Sequence, residues 1–399
     1  MAEMQPTTEI LTRISKNSLN NKDEVFTRLF RYLLREDIWF EAYRNLYANN
    51  GASTKGVNDD TADGFSERKI QKITEQLKNG KFNPTPVRRT YIQKKNSDKM
   101  RPLGIPTFTD KLVQEAVRMI LEAVYEPIFH ECSHGFRPNR SCHTALKSLR
   151  MKFTGAKWFI EGDIKGCFDN INHDILIGIL NKKIKDARLI QLIQQFLKAG
   201  YLEDWIYHRT YSGTPQGGII SPILANIYLH ELDKFVENLK EEFDKPSKEK
   251  YTPEYRKAKY QTEKARKAIR ECDPQDYERK KQLIKNLKAV RSVQLKTPCK
   301  SQTDKKIQYI RYADDFILSV NGSREECIEI KKKLSQYISE VLKMQLSDEK
   351  RMMTYERFIS SKIPCVIFST MTRPSQDMID LAVKYNVPTF VTERTTSSF

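Results

Sequence analysis

Residues 307–320 read Ile307-Gln308-Tyr309-Ile310-Arg311-Tyr312-Ala313-Asp314-Asp315-Phe316-Ile317-Leu318-Ser319-Val320. Two short β-branched and aromatic runs, Ile307–Tyr312 and Phe316–Val320, stand three residues apart, which predicts a tight hairpin with its acids at the tip. Asp is disfavoured within strands and at home in turns, so one acid there would carry little meaning. Two adjacent carboxylates between Tyr312 and Phe316, with apolar strands on both sides, are different: they repel unless a cation or polar contacts stabilise them. Mg²⁺ suits that role, because it prefers hard oxygen ligands and keeps substrate phosphates in its shell.

A third carboxylate stands at a matching place upstream. Lys157–Asp163 reads as a buried strand ending in an acid. Carboxylates from two separate strands can hold a pair of ions about 4 Å apart, the arrangement that lowers the pKa of an attacking hydroxyl and stabilises the leaving oxygen in nucleotidyl transfer. Composition points to the same substrate class. The 399 residues carry 69 Lys and Arg against 51 Asp and Glu, a formal charge of +18, and a polyanion would relieve that self-repulsion. No run approaches the roughly 18 apolar residues that span a bilayer, and the first residues lack a signal-peptide core, so a soluble, cytoplasmic protein without a membrane partner is expected. Seven Cys with no Cys-x-x-Cys pair speak against a disulfide framework and a zinc ribbon. The cluster His130, Cys132, His134 reads as an ordinary loop.

Around these strands the pattern is mainly helical. A helix is expected from Thr8 to about Asn50, and others over Ser66–Asn79, Lys111–Tyr125, Ser141–Phe153, His173–Asn181, Asp186–Lys198, Ser221–Leu239 and Glu325–Leu342. Val87–Ile92, followed by Lys94, Lys95, Lys99 and Arg101 around a turn at 96–98, fits a basic hairpin, and Tyr207–Tyr211 reads as extended. Residues 237–306 are dominated by Lys, Glu, Arg and Gln, and predict a charged helical insertion with solvated faces or a nucleic-acid-facing surface.

Tyr312-Ala313-Asp314-Asp315 matches the YxDD box of reverse transcriptases, and Asp163-Ile164-Lys165-Gly166-Cys167-Phe168 resembles their first catalytic box in order and spacing. Arg101-Pro102-Leu103-Gly104-Ile105-Pro106, residues 134–141 (His-Gly-Phe-Arg-Pro-Asn-Arg-Ser), Gly213-Thr214-Pro215-Gln216-Gly217-Gly218 and Ser221-Pro222 with Leu224 and Asn226 continue the likeness. Over roughly residues 20–350 the series resembles the group II intron-encoded reverse transcriptases and maturases. The resemblance implies an α+β fold, a right-hand polymerase with fingers and palm over 81–236 and 307–350. A helical RNA-binding extension (1–80) would precede it, and the 237–306 insertion would interrupt it.

The same resemblance implies an RNA-directed DNA polymerase that joins dNTPs to a DNA or RNA primer on an RNA template. Asp163, Asp314 and Asp315, with the Ile164 carbonyl, would hold two Mg²⁺ ions, with Mn²⁺ as a substitute. Phe168 would pack under the deoxyribose, Lys99 and Arg101 would reach the triphosphate, and Gln216 and Gly217 would lie near the nucleotide sugar. Arg137 and Arg140 would contact template phosphate or organise the fingers. A maturase that binds intron RNA as a splicing cofactor is the alternative, and an inactive truncated remnant is another. The family's helical thumb is not recognisable, since Ile363–Phe399 is too short for one. Residues 351–399 read instead as an unrelated β-α-β tail: strand Pro364–Ser369, helix Pro374–Tyr385 and strand Val387–Thr392. Its Pro364-Cys365-Val366-Ile367 and residues 395–399 resemble the N-terminal domain of HPr kinase/phosphorylase. Oligomeric state is not legible.

Overall fold

In the computed structural model the described residues are 5–48, 51, 53–93, 100–153, 156–214, 217–245, 251–273, 276–297, 299, 305–347 and 352–354. The expected tail elements between 364 and 392, and Lys94, Lys95, Lys99 and Gln216, lie outside them.

The chain opens with α1 (Thr7–Asn20), α2 (Glu36–Tyr47) and α3 (Glu67–Lys78). The single helix expected from Thr8 to Asn50 is therefore two helices, parted by an irregular stretch and a short 3₁₀ turn at Phe30–Leu34. The break has a tertiary cause. Phe26 exchanges backbone hydrogen bonds with Lys183 and Lys185, and the Phe30 amide donates to the Asp186 carboxylate at 2.8 Å, which pulls this segment out of helical register. Ile10, Ile14, Trp39 and Ile70 sit in the same apolar core as the later elements, so the extension packs as part of the body.

β1 (Val87–Gln93) and β2 (Met100–Ile105) form the expected hairpin, with Ile92 opposite Arg101. Next come the buried helix α4 (Phe108–Tyr125), capped by Thr107, and α5 (Cys142–Lys152), which Ser141 and Thr144 close as a capping box. β3 (Trp158–Asp163) leads through a one-turn helix α6 (Cys167–Asn170) into α7 (His173–Lys183), capped by Asn172, and α8 (Ala187–Lys198), capped by Asp186. β4 (Tyr201–Glu203) and β5 (Ile206–His208) then make a small hairpin. Of the extended run expected at Tyr207–Tyr211 only the first two residues are strand, and β4 was not foreseen. A three-residue strand is too short to show alternation, and the parallel pairing of β4 with β1 is what fixes it.

The long helix α9 (Ser221–Phe243) carries the chain past residue 237, where the insertion was expected to begin, because its buried stripe through Leu232, Val236 and Leu239 continues to that point. The insertion proper is a helical hairpin, α10 (Pro253–Arg270) and α11 (Tyr277–Lys296). β6 (Lys306–Tyr312), β7 (Asp315–Asn321), α12 (Arg324–Glu340) and β8 (Met352–Thr354) follow. β8 lies inside the stretch read as an unrelated tail, yet it pairs with β3.

Two four-stranded sheets result, in the orders β2-β1-β4-β5 and β6-β7-β3-β8. In the second, alternate residues face opposite sides. Ile307, Tyr309, Phe316, Leu318, Val320 and Ile160 enter the main core with residues of α9 and α12, while Phe159, Ile310 and Ile317 meet Ala145 of α5 and Phe153 in a smaller cluster. A sheet covered on both faces explains why β3 and β7 read as continuous apolar runs. Gly162 faces Phe316 across the pair, where a Cβ would stand 2.0 Å from the ring, so the aromatic fills the glycine's space.

Candidate active site

The strand-turn-strand of β6 and β7 closes on the Tyr312–Asp315 pair, leaving Ala313 and Asp314 as a two-residue turn. Ala313 takes a left-handed backbone (φ 56°), which costs a non-glycine residue about 1 kcal/mol or more. Asp315 opens β7 and lies directly opposite Asp163, the last residue of β3. Facing residues of adjacent antiparallel strands put their side chains on one face about 5 Å apart. The register thus brings together two acids that are 152 positions apart in sequence.

Asp314 senses both. Burial first, then the charges of Asp315 and Asp163, push its carboxyl up to about 6, while Arg101 acts in the opposite direction. The Cys167 thiol is likewise raised, by burial and then chiefly by Asp314 among its charged neighbours. Among the described residues no three His, Cys, Asp or Glu side chains already stand as a finished metal cage. The trio is instead a set of hard, mutually repelling oxygens, and this is the chemistry of a site that a divalent cation would relieve. Backbone direction adds an oxygen. The Asp163 carbonyl and the Lys165 amide bond Ser347 and Gln345 on the β8 side, at 2.8 and 2.9 Å, so the Ile164 carbonyl points the other way, toward the β7 side that bears Asp314 and Asp315.

The strained turn is braced from behind. Arg311 is wholly buried, and all five of its N–H donors are used. Nε and Nη2 pair bidentately with Asp233 at 2.8 and 2.7 Å, Nη1 donates to the Asn226 side chain (3.1 Å) and the Ala313 carbonyl (2.8 Å), and Nη2 also donates to Ser133 Oγ (2.9 Å). Burial raises the Asp233 carboxyl, but the Arg311 guanidinium outweighs it and holds the group below the usual carboxylate range. Asn226 also donates to the Gly135 carbonyl at 2.8 Å, and a Cβ on Gly135 would stand 2.3 Å from the Ala313 amide nitrogen. Residues 132–134 run beside Arg311 as a short parallel bridge.

The other expected residues arrive from separate elements. Phe168, half-buried in α6, meets the exposed ring of Phe136 edge-on with centroids 6.0 Å apart. Its carbonyl accepts from the Thr214 amide at 2.7 Å, and Gly213 (φ 83°) packs against the Asp169 carbonyl, where a Cβ would intrude to 2.6 Å. Gly217 (φ 105°) approaches β2 so closely that a Cβ would lie 2.6 Å from the Gly104 carbonyl. Gly213 thus lies against α6 and Gly217 against β2. Beside α6 and β2 lies a cavity of about 300 Å³, lined by Arg89, Gly104, Asp169, Tyr201, Arg209 and Gly213 among others. Arg101 is exposed on β2.

Arg137 is buried. It grips Glu126 bidentately and donates to the carbonyls of His130 and Ser133, both at 2.8 Å. Arg140 is half-buried and donates to the Glu131 carbonyl at 2.9 Å. Sequence reasoning missed Arg311, Asp233 and Ser133 as supports of the site. A buried-looking Arg beside two acids was the available signal.

A family model described as reverse transcriptase (RNA-dependent DNA polymerase) matches residues 92–248, a span that holds Asp163 and ends before α10. The chain is 61% identical over 352 residues to the group II intron-encoded protein LtrA of Lactococcus lactis subsp. cremoris, covering 88% of this chain and 58% of that protein. It is 31% identical over 331 residues to protein YkfC of Escherichia coli strain K12 (81% and 78% covered), and 26% identical over 299 residues to the mitochondrial nuclear intron maturase 1 of Arabidopsis thaliana (61% and 38%). The chain belongs to the family of group II intron-encoded reverse transcriptases and maturases. It spans somewhat under three fifths of the length of LtrA. A second model, described as HPr serine kinase N terminus, matches residues 342–399. No helix among the described residues is long and apolar enough to cross a membrane.

Proposed function

We propose that this chain is an RNA-directed DNA polymerase that adds dNTPs to a primer 3′-hydroxyl on an RNA template. The observation that carries the reading is the pairing of Asp163 with Asp315 beside an Asp314 that both repel. Asp163, Asp314, Asp315 and the Ile164 carbonyl would hold two Mg²⁺, which when bound activate the attacking hydroxyl and stabilise the leaving oxygen. The chain's own part is positional. Arg311, Asn226 and Gly135 keep the Ala313–Asp314 turn in place, so that the acids need no rearrangement when substrate arrives. Arg101, on the hairpin above the turn, and Lys99 bind the triphosphate, with charge-assisted hydrogen bonds that strengthen as negative charge develops. The Phe168 ring excludes a 2′-hydroxyl by contact, and Gly217 and Gln216 shape the wall beside the sugar. In this reading β1 and β2 belong to the fingers, and β3, β6, β7 and β8 form the palm.

A maturase role, in which the protein binds intron RNA as a splicing cofactor, is favoured by the net charge of +18 and is compatible with catalysis. The test is dNTP incorporation on a primed RNA template with Mg²⁺, beside Asp314→Ala and Asp315→Ala. Incorporation by the native chain that either substitution abolishes supports the polymerase. Absence of incorporation with RNA binding retained rejects it in favour of the maturase.

A further inference from the structure

We infer that the α10–α11 hairpin is an RNA-docking arm, which takes the phosphate backbone of double-stranded RNA outside the polymerase site. The proposal rests on the reading above only in that RNA is the chain's substrate. The two helices hold fourteen Lys and Arg against three Glu. Each is about 30 Å long, and the Debye length at physiological salt is about 8 Å, so these charges act as one field. Their acids cannot neutralise them. Ion pairs within the hairpin include Arg266–Glu263 and Lys267–Glu271, both on the surface, where such pairs contribute little.

The arm is built to stand clear of the body. α10 and α11 pack chiefly on each other, through Thr262 and Ala265 and a hydrogen bond from Gln294 to the Tyr255 hydroxyl. Its neck closes at the Lys245–Lys305 bridge, beside the start of β6. The catalytic turn is at the other end of that seven-residue strand, roughly 20 Å away. An anion on the arm is therefore a different stretch of nucleic acid from the primer end.

The charge is arranged along the flanks. Lys281, Lys285 and Lys288 recur at helical spacing on α11, and Lys257, Lys264 and Lys267 do so on α10, all exposed. The tip of the hairpin carries Glu271, Asp273 and Asp276, which would repel phosphate, so the duplex lies along the helices. A membrane would need an apolar stripe. The exposed apolar residues of α11 that share a face, Tyr277, Ile284 and Leu295, are interrupted there by Lys281 and Lys288, so the face is basic with isolated apolar side chains and makes no continuous stripe.

The test is a six-fold Lys→Gln variant at 257, 264, 267, 281, 285 and 288. Gln keeps nearly the helix propensity of Lys, and circular dichroism checks that the helices remain. Binding of a blunt RNA duplex is measured by anisotropy from 50 to 300 mM salt, beside the same sequence as DNA and vesicles of phosphatidylserine. Each lost phosphate contact reduces the slope of log K against log salt by roughly 0.7–0.9. The expected result is a slope shallower by about 2 or more and an affinity for duplex RNA at least tenfold weaker, with extension of a short primed template unchanged. Equal slope and affinity overturn the proposal, as does a loss confined to DNA or to vesicles. The binding readout does not depend on catalysis, so a failed polymerase assay leaves this test standing.

Discussion

Replacing Arg311 by Met would remove the cation that compensates a carboxylate with no solvent access and leave it the neutral Tyr309 hydroxyl at 3.0 Å, since both side chains of the Arg311–Asp233 pair are fully buried. Breaking a buried ion pair from one side costs about 3–5 kcal/mol, because the remaining charge stays desolvated. Three neutral contacts, to Asn226, Ala313 and Ser133, go with it. Against a native stability of about 5–15 kcal/mol this is a large fraction. At about 2–4 °C per kcal/mol, the scale of a 150–250-residue domain, Tm should fall by roughly 6–20 °C. Asp233→Leu in the same chain removes the stranded charge, and the double variant should recover about 2 kcal/mol or more of the loss. Urea melts give the energies. Incorporation measured well below the variant's Tm should still show a kcat reduced about tenfold or more, since the Ala313 carbonyl has lost its donor. A single variant within about 1 kcal/mol of the native protein, or a double variant as unstable as the sum of the singles, would refute the argument.

Two further outcomes follow from the same region. Burial is the main cause that pulls His230 down to about 3 and His134 to about 4. The unfolded chain gains these protons near pH 6.5, whereas the folded chain refuses them until pH 3–4, so stability is full above pH 6.5 and falls as pH drops through that window. Each contributes up to about 1.4 kcal/mol per pH unit, and His230→Phe should flatten the dependence of urea midpoints between pH 7 and 5 by one such share. Gly135→Ala would drive a methyl against the Ala313 amide. It should cost about 1–3 kcal/mol of stability, yet lower kcat at saturating dNTP more than it raises KM, as steady-state extension assays would read.

Much of this protein is legible because its chemistry sits where local signals are strong. Tight turns select acids, apolar runs of five or six residues mark strands covered on both faces, and the helices expected from apolar periodicity near Ser141, Asn172, Asp186 and Ser323 are the ones those side chains cap in the structure. Short strands were another matter. β4 and β8 have three residues each and gain their conformation only from the strands beside them. The expected helix at Thr8–Asn50 failed for a related reason: the bonds that break it come from residues 183–186.

The acids Asp163, Asp314 and Asp315, the excess of positive charge and the helical nature of the insertion were set by sequence alone, since each depends on residue type and near-neighbour spacing. That Asp163 faces Asp315, that Arg137 is spent on Glu126, and that Arg311 braces the turn were decided by tertiary structure. The Arg311 side-chain partners Asp233, Asn226 and Ser133 are 78 to 178 positions away in the chain, and no local pattern records such pairings. They exist because a buried guanidinium must find acceptors for every donor, and the folded core is where those acceptors first come together.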